Sequence, residues 1–188
     1  MHVGMADHFG WAVAVTASAD HTVVDRRRIE LIEPGMPAAP IHHEGKRPES
    51  ERLDSAALAA LVAQVRASVV RATSAAFDEI AAELPEPVVS ISLRTWPLDF
   101  PDDVAVQCRP PYESRADGIM YRQVLAELAH ARDWQVHLYK PKAVMDQAAG
   151  VLAERACAVL EGPRAAMGPP WTRDHRMALA ATIVAAAP

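Results

Sequence analysis

Aromatic side chains make up only 5% of the 188 residues, and there are only two cysteines. With so few rings, the core has to be filled by aliphatic side chains and by the alanines that crowd the later helical stretches. Cys108 and Cys157 lie far apart and match no metal or redox spacing, which argues against a disulfide scaffold and for a reduced compartment. An excess of basic charge is missing too. The formal net charge of -5 and the pI near 5.9 give no overall attraction to nucleic acid or to an anionic membrane, so such binding would need a local basic patch. No basic segment followed by an apolar core opens the chain, and no apolar run approaches the length of a membrane span. The expectation is a cytoplasmic chain without a membrane partner, folded as one domain spanning 1–188.

The N-terminal stretch is rich in strand signals. Val3-Gly4-Met5-Ala6-Asp7-His8 is an apolar strand ending in an acid, Gly10 supplies a turn, and Trp11 to Val15 is a second apolar strand. The Ser18-Ala19-Asp20-His21 turn leads into a third strand over 22–32, so the first three strands form an antiparallel meander. Residues 33–53 carry four prolines and two glycines without periodicity and read as a long loop, a common place for functional residues. Asp54 or Ser55 can cap the helix that follows, which runs to about Leu84 with Leu58, Leu61, Val65, Val69 and Ile80 on an apolar stripe. Pro85 and Pro87 end it. A fourth strand covers Val88 to Arg94, and 95–115 is a second long loop. A helix over 116–132, a fifth strand over 134–140, a helix over about 144–160 and a last helix from Thr172 complete the order.

A meander followed by alternating helix and strand implies a mixed α/β sheet, its later strands parallel because each is reached through a crossover helix. That order resembles the ribonuclease-H-like fold, a mixed five-stranded sheet flanked by helices with an acid at the end of a central first strand. Three segments resemble the Holliday-junction-resolvase branch of that superfamily. They are Gly4-Met5-Ala6-Asp7, the strand exit Tyr139-Lys140-Pro141-Lys142, and Asp174-His175-Arg176-Met177 on the last helix.

The resemblance implies a nuclease in which carboxylates from the first strand, the fourth strand and the last helix hold divalent ions beside a phosphodiester. Asp7 matches the first-strand acid and Asp174 the first acid of the helix. Met177 stands where the second helical acid would lie, and the fourth strand offers Ser90, Ser92 and Arg94 but no carboxylate. Histidines are the available substitutes: His8 beside Asp7, His175 beside Asp174, and His42-His43 in the first long loop. The expected site therefore has Asp7, His8, Asp174 and His175 as catalytic groups, and Asp7, Asp174 and His43 as ligands of magnesium, manganese or zinc. Arg94, Lys142 and Arg176 would bind substrate, with Lys140 and Arg173 near them.

Each of these residues also has a structural reading. Asp7 can cap its turn, and Asp174 favours the helix dipole whatever the function. Arg94 can hold an anion near Asp7 or pair with Asp99, Asp102 or Asp103 in the next loop. Arg26-Arg27-Arg28 suit a solvated edge strand, and Trp11, Trp96 and Trp171 suit packing. Three functions follow: a metal-dependent phosphodiester hydrolase, a degenerate binding or assembly module, and a small-molecule enzyme using an Asp-His cluster. Nucleic acid and a second copy of the chain are the partners these readings imply.

Overall fold

The computed structural model describes residues 1–187. Its centre is a sheet of β1 (His2–Asp7), β2 (Trp11–Ala17), β3 (Val23–Glu30), β4 (Ser90–Arg94) and β5 (Gln135–Tyr139) in the order β3-β2-β1-β4-β5. β1 pairs antiparallel with β2 and parallel with β4, and β4 pairs parallel with β5. Because β1, β4 and β5 run the same way, Asp7, Arg94 and Tyr139 emerge together at one edge of the sheet. The expected mixed α/β architecture is thus present, with the acid-bearing first strand in the middle.

Alternation along β1 assigns its two faces to different cores. Val3 and Met5 enter an aliphatic cluster with Val65, Val69, Phe77 and Ile80 of α2 (Ser55–Glu83) and with Tyr121, Val124 and Leu125 of α4 (Ala116–His130). Ala6 joins the opposite cluster, with Val144 and Ala148 of α5 (Val144–Leu152) and Ala178 to Ala181 of α8 (Arg173–Ala186). Gly4 faces α8 at very close range. A Cβ at this position would lie 1.9 Å from the Ala178 carbonyl oxygen, so only glycine lets α8 sit this close to the central strand.

Asp54 caps α2, its carboxylate accepting from the Ala57 amide at 2.8 Å. By length and composition α2 is long and apolar enough to cross a membrane, contrary to the expectation that no segment would be. Its apolar stripe is spent on the sheet.

The structure also corrects three expected stretches. The loop over 33–53 contains α1 (Pro40–Gly45) and a 3₁₀ turn at Glu49–Glu51. α1 forms because both oxygens of the buried Asp117 on α4 accept its first amides, from Ile41 at 3.2 Å and His42 at 2.9 Å, a cap no local sequence could show. The loop over 95–115 contains the single turn α3 (Val104–Gln107). The helix expected over 144–160 is broken after Leu152, where Ala153 has a positive φ of 50°, and resumes as α6 (Ala156–Glu161) and α7 (Pro163–Met167).

Candidate functional site

Asp7 has the same strand parity as Val3 and Met5, so its carboxylate faces the α4 side of the sheet and meets Arg122. Arg122 donates through Nε to Asp7 Oδ2 at 2.8 Å. Arg94, at the end of the neighbouring parallel strand, donates through Nη1 to the Asp7 backbone carbonyl at 2.8 Å and holds its Nε 3.7 Å from Asp7 Oδ1. The Asp7 side chain is only 3% exposed. Its Oδ1 is sealed from solvent and lacks a hydrogen-bond partner. Arg94 does not pair with Asp99, Asp102 or Asp103 in the manner its sequence position favoured. Its second carboxylate contact is Asp174, 3.8 Å away.

His8 turns toward α8 instead. Its Nε2 lies 3.0 Å from Asp174 Oδ2, and its ring stacks on Trp11 with centroids 4.1 Å apart and planes 12° from parallel. Arg28 also lies over the Trp11 indole, 4.2 Å from the ring centroid. Arg28, Trp11, His8 and Asp174 therefore form a chain of pairwise contacts at the lip of the sheet. Trp11 also packs, half-buried, against the core on the α8 side of the sheet, as its sequence position suggested. Behind the site, Tyr139 donates to the Met5 carbonyl at 2.7 Å, and burial, partly offset by Arg94, pushes its hydroxyl up to about 12.

Asp7, His8, Arg94 and Asp174 are thus brought together, and the other expected site residues are not. His175 is an internal cap: its Nδ1 accepts from the Thr172 amide at 3.2 Å and lies 2.8 Å from the Thr172 hydroxyl, and it packs near Trp171. Burial and the positive field of Arg26 push His175 below the usual histidine range. That suits a ring nitrogen that must stay unprotonated to accept. Arg176 is engaged by Glu161 at 2.8 Å. Lys142 is exposed on the turn after β5. His43 is exposed on α1, while His42 is the one whose ring reaches Phe9, at 5.9 Å. Met177, at the position of the missing helical acid, is buried among apolar side chains. The three arginines of β3 are also more engaged than a solvated edge requires. Arg27 pairs with Asp25 and Glu83, and Arg26 donates to the Met167, Pro169 and Pro170 carbonyls.

Arg122 is the site residue that sequence reasoning missed. It lies mid-helix with nothing in its neighbours to mark it, and only the packing of α4 beside β1 brings it to Asp7. The one local signal is Gly118, a turn earlier on the same helix face.

A divalent ion does not fit this set. Among the described residues no group of three or more His, Cys, Asp or Glu side chains could hold a metal. The two carboxylates at the sheet edge already have partners: the Arg122 and Arg94 guanidinium groups at Asp7, and the Arg94 guanidinium and the His8 ring at Asp174. Of the expected ligand set, Asp7 and Asp174 both contact Arg94 at the sheet end, and His43 is exposed on α1. Guanidinium groups offset the charge that hard cations would have offset.

The topology and the acid at the end of the central strand define a ribonuclease-H-like fold. The structure is similar to that of T. thermophilus RuvC in complex with a Holliday junction substrate, with a TM-score of 0.53 and 11% sequence identity, covering 97% of this chain and 90% of that one. No family model matches the chain, and no curated protein matches it. The likeness is one of fold.

Proposed function

We propose that the chain is a ribonuclease-H-like module that binds nucleic acid without hydrolysing it. The observation that carries this reading is the capture of Asp7, the one acid on the central strand, by Arg122 and Arg94. To act as a metal ligand Asp7 would have to give up a buried pair, and breaking such a pair costs about 3–5 kcal/mol. Ser92 and Met177 supply no further carboxylate to compensate. The binding half of the reading rests on the cations gathered at the carboxyl ends of the parallel strands. Arg94 and Arg122 stand at the centre, balanced by Asp7 and Asp174, so the surplus of positive charge comes from Lys140 and Lys142, which follow β5, and Arg173, which opens α8. The similarity to RuvC held on a Holliday junction favours nucleic acid over other anions.

Fluorescence anisotropy with labelled duplex and four-way-junction DNA tests it. The expected result is binding that weakens as salt rises, with no strand cleavage in magnesium or manganese. Metal-dependent cleavage abolished by Asp7→Asn would overturn the non-hydrolytic reading, and absence of binding to either DNA would overturn the nucleic-acid reading.

A further inference from the structure

A cavity of about 220 Å³ opens beside Asp7, lined by Asp7, His8, Phe9, Arg94, Gly118 and Arg122. The Asp7 oxygens do not supply its free bonding capacity: Oδ2 accepts from Arg122, and Oδ1 is inaccessible to solvent. The unused capacity is on the donor side. Arg122 spends Nε on Asp7, and among the described residues its Nη1 and Nη2 donate no hydrogen bond. Gly118 keeps the space in front of them open, since a Cβ there would lie 3.6 Å from Arg122 Nη2 and 3.5 Å from Phe9 Cε1.

We infer that this cavity is a metal-free phosphate site, in which the outward donors of Arg122, backed by Arg94 and His8, take a phosphate oxygen. The inference rests on the nucleic-acid reading for its source of phosphate and extends it to a residue and a mode of contact. Asp7 acts here as a positioning residue. Its buried carboxylate fixes the Arg122 fork from behind, so little side-chain freedom remains to be lost when the anion arrives. Asp174 holds His8 in the same way from the α8 side. The arrangement needs no divalent ion, because the contact is made by the Arg122 N–H donors that Asp7 leaves unused.

Three variants and two probes test it. Arg122→Gln should weaken DNA binding at least about tenfold and flatten the dependence of log K on log salt by about 0.9, the share of one phosphate contact. Arg122→Lys keeps the charge but loses the fork, and should recover the salt slope without the full affinity. Gly118→Ala meets only ordinary van der Waals contacts, should fold normally, and should weaken binding by narrowing the cavity. Titration with inorganic phosphate, followed by amide chemical shifts, should move Gly118, Arg122 and His8 first. If DNA binds and all three variants bind like wild type, the inference falls and the nucleic-acid reading stands. If phosphate moves those amides in wild type but not in Arg122→Gln while DNA does not bind, the site stands and the nucleic-acid reading falls. If neither probe binds, both are overturned.

Discussion

Replacing Asp7 with asparagine separates an arginine-neutralised centre from a metal-dependent one by the sign of the stability change. The amide keeps the shape of the carboxylate but leaves Arg122, 2.8 Å away, and Arg94, 3.7 Å away, facing a neutral group. Removing one partner of a buried ion pair costs about 3–5 kcal/mol. Both arginine side chains stay about one-fifth exposed, at 20% and 18%, so water recovers part of that loss and the expected cost is about 2–4 kcal/mol. For a chain of this size each kcal/mol lowers Tm by about 2–4 °C, which puts the drop near 9 °C. In a centre built from converging acids, neutralising one relieves repulsion and raises Tm in metal-free buffer. Thermal unfolding followed by circular dichroism, with EDTA and with excess manganese, measures the sign directly. A Tm for Asp7→Asn that equals or exceeds that of wild type in EDTA would refute the reasoning.

Other outcomes follow from the same geometry. Gly4→Ala drives a Cβ to 1.9 Å from the Ala178 carbonyl, so α8 must move away from β1. The expected loss is about 3 kcal/mol or more, read as a lower denaturation midpoint, and it should loosen the contact between His8 and Asp174. His175→Ala removes the reciprocal cap at the start of α8 and should cost about 1 kcal/mol in urea unfolding. Because the folded state holds His175 below its ordinary 6.5, the unfolded chain takes up the proton first as pH falls. Its contribution is intact above about pH 6.5 and is lost as pH drops from there toward the folded value, so His175→Ala should flatten the Tm profile between pH 7.5 and 5.5. Wild-type Tm should be insensitive to added magnesium or manganese. A manganese-induced rise that disappears in Asp7→Asn would show a metal site at Asp7.

The order of strands and helices was legible because it is written in local chemistry. Alternation marks β1 and β2, Asp54 and the proline pair bound α2, and the crossover helices dictate parallel pairing of β4 and β5. Asp7 and Asp174 could be singled out for similar reasons, since an acid at a strand end and an acid in a first helical turn are both local signals. What the chain does with those acids was not legible. Arg122 lies 115 residues from Asp7 in sequence, and His175 follows Asp174 directly, yet the first completes the site and the second caps a helix. Local pattern sets the elements because backbone hydrogen bonding and burial act over a few residues. The charge balance at the sheet edge depends instead on which side chains the packed layers bring within a few ångströms, and only the tertiary structure decided that Arg122 joins Arg94 beside Asp7.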